Sequence, residues 1–371
     1  MRVALITPEY PGCGPSFGVG TYVARLARML ARGGDAVCIA VVAEHGCWLG
    51  HADEVHQVSG LAIPAVARPW WARRWLTRTL GDLAPDVVEL PNWGGLGAFL
   101  PHQWPTMVRL STSVAQQRPR SRLRRHLWST HLRWERATVR RADLVVANSV
   151  AGADATAPLY GRRAEAVVPH AWEGPTTEPA SDARDVLFVG RLEPRKGVDV
   201  LLGSWPAVHR RHPQAVLHVV GADPGGLTSR MASSSLHGIR FHGRLDDAAL
   251  AAVRRRCVLQ VIPSRSESFG LVVLEAWAAG LAVVASDCPG LAETVRDAGL
   301  LVPNGEAAGL ADGLAALLAD PARCRGLVAA GRQRLAGDHG LDAWRTRTRD
   351  AYQRTAGAWR SRRGLPGNGR P

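Results

Sequence analysis

Two cations and two carboxylates carry most of the chemistry that this sequence announces. The chain has 46 lysines and arginines, and Lys196 is the one lysine among them. A chain that uses arginine everywhere else points, at Lys196, to a site that wants a compact charge on a flexible stem, not a planar guanidinium. Lys196 stands in Phe188-Val189-Gly190-Arg191-Leu192-Glu193-Pro194-Arg195-Lys196-Gly197. An apolar run ends at Gly190, Arg191 follows at once, and a helical pattern begins near Lys196. Two cations at the mouth of a strand-loop-helix unit, beside a helix N-terminus, suit a phosphate group. The bland alternative is a lysine that decorates a solvated loop.

The carboxylates lie in Pro263-Ser264-Arg265-Ser266-Glu267-Ser268-Phe269-Gly270-Leu271-Val272-Val273-Leu274-Glu275-Ala276-Trp277-Ala278-Ala279-Gly280. Glu267 falls in a loop after an apolar strand, and Glu275 about two turns into the next helix. Ser266 or Ser268 is expected to cap that helix. Gly270 allows close backbone approach, and the N–H groups of the first turn suit an anion. A carboxylate accepts two hydroxyl hydrogen bonds, as from a ribose diol. The competing reading is a solvated helix face, but a carboxylate in so apolar a helix needs a partner. The pair therefore points to a sugar-bearing ligand held at two places.

The elements that must position these residues alternate between strand and helix. Val3 to Thr7 reads as a short strand, followed by a loop with Gly12, Gly14, Gly18 and Gly20, then an amphipathic helix from Tyr22 to Arg32. Further apolar runs at 36–43, 86–90, 107–110, 144–147 and 166–168 read as strands buried on both faces, hence parallel. The rhythm breaks at 169–184, a stretch rich in Pro, Gly and Thr that reads as a linker. It restarts with strands at 186–189, 216–220, 239–241, 259–262 and 282–285 and helices at 198–211, 247–256, 271–279 and 307–319. The expected organisation is a first domain over 1–170, a linker over 171–184, a second domain over 185–340, a terminal helix over 341–358 and a flexible tail over 359–371. Two open, doubly wound α/β domains would face each other across a cleft, with ligand beyond the carboxyl ends of the strands.

Composition narrows the partners. A formal net charge of +14 favours acidic ones. The densest basic stretch runs from Arg118 to Arg141 and includes Trp128 and Trp134; a second is Arg68-Pro69-Trp70-Trp71-Ala72-Arg73-Arg74-Trp75. Arginine with tryptophan is what a helix lying on an anionic membrane would show. No zinc-finger, RNP-like or helix-turn-helix signature accompanies the charge, so nucleic acid is disfavoured. Six scattered cysteines without a Cys-X-X-Cys pair suit a reducing cytosol. The N-terminal apolar run is too short for a signal peptide. The longest apolar stretch, 269–285, is broken by Glu275 and Gly280 and reads as helix plus strand, not a membrane span. His102 and His170 read as ordinary loop histidines.

Together these segments are similar to the family 4 retaining glycosyltransferases (glycosyl transferases group 1), which have the GT-B fold of two Rossmann-like domains. The resemblance rests on Glu267 and Glu275 with seven residues between them, on Gly190 to Gly197, on Pro289-Gly290-Leu291-Ala292-Glu293 and on Ala142-Asp143-Leu144-Val145-Val146-Ala147-Asn148-Ser149. It implies that Arg191 and Lys196 hold a donor diphosphate and that Glu275 holds the ribose hydroxyls. Glu267, with the backbone of Ser268, Phe269, Gly270 and Leu271, would address the transferred sugar and phosphate. Gly18 and Gly20 would approach the donor from the first domain. Arg191, Lys196 and Glu267 are the catalytic candidates. No Asp-X-Asp occurs in the sequence, so no metal or other cofactor is expected and the nucleoside-diphosphate sugar is a co-substrate. Two departures from the family pattern fall on the acceptor side: Phe17 precedes Gly18 where the family pairs glycines, and Ser111 stands where many members carry histidine.

The expectation is thus a cytoplasmic, metal-independent, retaining hexosyltransferase in cell-surface glycan or glycolipid assembly, with peripheral contact to the inner face of the membrane. A transferase acting on a soluble specialised metabolite, a nucleotide-sugar epimerase of the same architecture and a catalytically dead nucleotide-sugar-binding protein are the alternatives.

Overall fold

The computed structural model describes residues 1–14, 18–52, 54–60, 63–64, 67–111, 113, 122–226 and 237–365. They form two compact units, Met1–His170 together with the chain from Leu341 onward, and Ala171–Gly340.

The first unit contains β1 (Arg2–Thr7), α1 (Gly18–Arg32), β2 (Ala36–Ala43), β3 (Gly46–His51), β4 (Glu54–Ser59), α2 (Arg68–Leu83), β5 (Val87–Pro91), β6 (Thr106–Arg109), α3 (Arg122–Arg141), β7 (Leu144–Ala147), α4 (Val150–Tyr160) and β8 (Ala166–Val167). The sheet order is β4-β3-β2-β1-β5-β6-β7-β8. Seven strands point the same way, and β3 runs against them, pairing antiparallel with both β2 and β4. This hairpin lies outside the apolar runs read as strands, and those runs pair parallel with one another. Its strand β4 is largely exposed and polar, so it lacks the apolar run that marks a strand covered on both faces.

Helix α1 starts at Gly18, a turn earlier than the apolar periodicity suggests. The Glu9 carboxylate accepts the Gly20 N–H at 2.8 Å, satisfying one of the open donors of the first turn. Gly18 and Gly20 are therefore helical residues and not loop residues.

The second unit contains β9 (Asp185–Val189), α5 (Val198–Arg211), β10 (Leu217–Val220), β11 (Ile239–Gly243), α6 (Asp247–Arg254), β12 (Cys257–Ile262), α7 (Leu271–Ala278), β13 (Ala282–Ser286), α8 (Pro289–Val295), β14 (Leu300–Val302), α9 (Ala307–Leu318) and α10 (Pro321–Ala336). All its strands are parallel, in the order β11-β10-β9-β12-β13-β14. Strand order reverses between β9 and β12, which is where open parallel sheets of this kind bind ligands.

The stretch 171–184 carries neither strand nor helix and is strapped to the second unit. Thr177 N–H donates to Ala278 O at 2.7 Å, Ala180 N–H to Arg255 O at 2.7 Å and Arg184 N–H to Arg256 O at 3.1 Å. Helix α11 (Leu341–Arg362) packs into the first unit and continues four residues past 358, where the sequence suggested a tail. Near its end Arg362 comes within 3.6 Å of the buried Asp143 carboxylate, a partner that sequence periodicity does not reveal.

Candidate functional site

Two loops leave the adjacent strands β9 and β12 at their carboxyl ends, and short-range packing holds them together. Gly197 has φ +67°, and a Cβ there would lie 1.8 Å from Pro263 O, so only glycine permits this approach. Arg265 N–H donates to Arg195 O at 2.9 Å. The Arg265 guanidinium makes two bonds to the Asp199 carboxylate, at 2.7 and 2.8 Å. The loops after β9 and β12 thus form one surface.

On that surface charges are interleaved. Arg191 Nη2 and Arg195 Nη2 reach the same Glu193 oxygen, at 3.1 and 3.2 Å. Arg195 Nη1 lies 3.7 Å from Glu267 Oε2, and Lys196 Nζ pairs with Glu267 Oε1. Ser264 Oγ donates to the same oxygen at 3.2 Å. Within this group three cations, Arg191, Arg195 and Lys196, meet two carboxylates, Glu193 and Glu267. The Glu267 side chain is only 8% exposed. Burial pushes its carboxyl pKa up, but Lys196, Arg195 and the hydrogen bonds more than offset this and hold it below the ordinary carboxylate value.

Helix α7 begins without a serine cap, which corrects the expectation for Ser266 and Ser268. Its N-cap is Gly270 at φ +90°. A Cβ there would lie 2.7 Å from Leu291 Cδ2, so glycine serves both the left-handed turn and the contact with α8. The Ser266 carbonyl accepts from Arg195 Nη1 at 3.1 Å. Phe269 buries its ring edge-on to His339, 5.5 Å between centroids, while its carbonyl accepts from Thr294 Oγ1 at 2.7 Å. Gly290 explains the Pro289 to Glu293 segment physically: any Cβ there would sit 2.1 Å from Glu267 O.

Glu275 has the partner its apolar helix requires. Arg254 Nη2, at the end of α6, donates to Glu275 Oε2 at 2.9 Å. Sequence reasoning missed Arg254, because nothing in the run Arg254-Arg255-Arg256 marks which arginine turns inward.

The remaining candidates lie on the first unit. Gly18 and Gly20 open α1, and Phe17 is outside the described residues. Ser111 follows β6. Its N–H and its Oγ both donate to Asn92 Oδ1, at 2.6 and 3.0 Å, so the hydroxyl proton is committed to Asn92. Asn92 Nδ2 donates to Tyr160 OH at 2.7 Å, and Tyr160 OH to the buried Glu135 at 3.0 Å. His102 lies 3.1 Å from Asp143, and His170 packs on the Tyr22 ring.

A second buried network was not foreseen. Glu89 accepts from Tyr22 OH at 2.6 Å, Arg109 Nε at 2.7 Å and Tyr352 OH at 2.6 Å, tying α1, β5, β6 and α11 together. Burial raises both tyrosine pKa values well above the ordinary range.

The basic aromatic segments are only partly presented. Trp70 on α2 is 67% exposed, beside exposed Arg73 and Arg74, but Trp71 and Trp75 pack against the first unit's core. Trp134 lies against Phe99, 4.7 Å between centroids. Arg118 and Arg120 are outside the described residues. Among the described residues no helix is long and apolar enough to cross a membrane.

Comparison with known proteins matches residues 183–320 to the family model described as glycosyl transferases group 1 and residues 18–171 to that described as glycosyltransferase family 4. A phosphatidyl-myo-inositol mannosyltransferase of Mycobacterium leprae is 42% identical over 154 residues, 40% of this chain and 41% of that protein. A D-inositol 3-phosphate glycosyltransferase of Nocardia farcinica is 35% identical over 217 residues, 52% of this chain and 48% of that protein. The matched stretches thus span about half the length of these relatives or less, at 41% and 48%. In fold, the chain is similar to sucrose-phosphate synthase from Thermosynechococcus elongatus, with a TM-score of 0.80 at 24% identity, covering 96% of this chain and 99% of that one.

Proposed function

Since the chain belongs to the family 4 glycosyltransferases of GT-B fold, we propose that it moves a hexose-type sugar from a nucleoside-diphosphate sugar to a hydroxyl acceptor, retaining anomeric configuration and needing no metal. One observation carries this reading: the line Arg191, Glu193, Arg195, Glu267, Lys196 at the point where strand order reverses. A diphosphate attracted by these cations replaces Glu267 as the partner of Lys196. The released carboxylate then accepts hydrogen bonds from hydroxyls of the sugar. Arg191 and Lys196 face the charge that grows on the leaving phosphate, and such preorganised groups stabilise a transition state more than a ground state.

The bond from the anomeric carbon to the phosphate oxygen breaks while the bond to the acceptor oxygen forms on the same face. The acceptor proton passes to the leaving phosphate, and the sugar passes through an oxocarbenium-like state. Glu275 holds the ribose diol. Gly18 and Gly20 of α1 are donor-binding residues, and the lone pairs of Ser111 Oγ, whose proton goes to Asn92, accept a hydrogen bond from an acceptor hydroxyl other than the one that reacts.

For the acceptor, cell-surface glycan or glycolipid assembly at the inner face of the membrane is the first reading. The exposed Trp70 among arginines and the similarity to a phosphatidyl-myo-inositol mannosyltransferase support it. A soluble polyol acceptor is the second, supported by the similarity to a D-inositol 3-phosphate glycosyltransferase.

A thermal-shift screen of nucleoside diphosphates and their sugars identifies the donor. Transfer is then followed by product mass with and without EDTA, and on acceptors in anionic vesicles and in solution. Nucleotide-dependent transfer that survives EDTA is expected. Activity abolished by EDTA and restored by magnesium or manganese contradicts the metal-free step. Interconversion of the free nucleotide sugar without an acceptor identifies an epimerase.

A further inference from the structure

Three arginines close α6 and the turn after it, and they behave differently. Arg255 is exposed and Arg256, with 57% of its side chain exposed, lies 3.6 Å from the Asp185 carboxylate at the strand end, whereas Arg254 turns inward and keeps 18%. Its Nη2 bonds to Glu275, and its Nε finds no hydrogen-bond acceptor among the described residues. Drawing a guanidinium out of water and leaving one donor idle costs free energy that a solvated rotamer avoids. The inward pose therefore reflects the pull of Glu275. The contact also bridges the two helices that flank β12 in sequence, one of the strands at the order reversal. A glutamate's terminal torsion is broad and weakly set on its own. A guanidinium N–H held on Oε2 restrains that torsion.

Resting on the assignment of Glu275 to the ribose diol, we propose that Arg254 is a positioning residue. It holds the Glu275 carboxylate in the orientation that receives both ribose hydroxyls, and so sets the preference for ribonucleotides over nucleotides that lack the diol.

Calorimetry on the full chain compares UDP, GDP and ADP with their 2′,3′-dideoxy counterparts, for wild type, Arg254→Met, Arg254→Lys and Glu275→Gln. The wild type should prefer its best ribonucleotide over the dideoxy form by roughly tenfold or more, the scale of a charged hydrogen bond. Arg254→Met should bring that ratio toward one, as Glu275→Gln does, while affinity for the dideoxy nucleotide stays constant. Arg254→Lys should recover part of the ratio. A wild-type ratio in Arg254→Met, with the ratio lost in Glu275→Gln, overturns the role of Arg254 and leaves the sugar-donor reading standing. A wild type that binds none of the three nucleotides, or binds without discrimination and is unaffected by Glu275→Gln, overturns the ribose assignment and this proposal with it. If Arg254→Met does not fold, Arg254→Lys decides: an intermediate ratio supports the proposal and a wild-type ratio overturns it.

Discussion

The first unit and the second each hold a carboxylate against a cation, and the two pairs differ in what surrounds them. Arg109 and Glu89 are 3% and 4% exposed, and Glu89 also receives two tyrosine hydroxyls from α1 and α11. That pair is closed on every side by the fold. Lys196 and Glu267 sit on two loops, with Lys196 19% exposed and two further arginines within the cluster. A pair sealed in the core can only hold elements in register. A pair at a loop surface with further arginines beside it can exchange one anion for another. The contrast separates an architectural ion pair from one suited to a ligand, though both look alike as a distance.

The largest effect should come from breaking the sealed pair. Glu89→Leu strands the Arg109 guanidinium in the core, and removing one partner of a buried pair costs about 3–5 kcal/mol. Urea unfolding should show that loss, with part of it regained when Arg109 is also made leucine. Glu267→Gln should cost less stability than Glu89→Leu yet remove transfer. Equal stability losses in the two variants would erase the distinction.

The next effect in size tests the open region alone. Glu275→Gln should weaken donor binding by ~1.5–3 kcal/mol, the worth of a charged hydrogen bond, with the fold intact. Calorimetry giving unchanged nucleotide affinity would remove Glu275 from the site.

A smaller effect appears in the acid limb of stability. The Glu267 carboxyl titrates lower in the folded protein than its ordinary value. Its contribution to stability is therefore fully present above the unfolded pKa of about 4.3, and it is lost as pH falls through the lower folded value. Urea midpoints followed from neutral pH into that window should fall less steeply in Glu267→Gln than in wild type. Parallel curves would mean that the pair contributes nothing to folding.

The two regions also differed in how far the sequence disclosed them. The loops around Lys196 and Glu267 were legible because their neighbours are local: an apolar strand, a glycine, then a helical repeat. The parallel strand-helix alternation was legible for the same reason. The Glu89 network was not, since Tyr22, Arg109 and Tyr352 meet only after folding and each reads alone as a core or surface residue. The early start of α1 depends on Glu9 reaching forward to Gly20, and the cap of α7 on Gly270 fitting against Leu291. Arg254 turns inward for a carboxylate 21 residues away in sequence. Each of these is a tertiary contact overriding a local pattern.

The central claim is that Lys196 exchanges Glu267 for a diphosphate, and Lys196→Arg tests it most directly. Arginine stands at every other lysine-or-arginine position of the chain, so a decorative lysine should accept the change silently. If Lys196 touches the diphosphate, the wider, planar guanidinium misplaces its charge beside Arg195 and Glu267. Turnover should then fall more than donor affinity, by at least ~10-fold, on the order of 1.4 kcal/mol. Wild-type kinetics in Lys196→Arg, with transfer confirmed by product mass, would contradict the account.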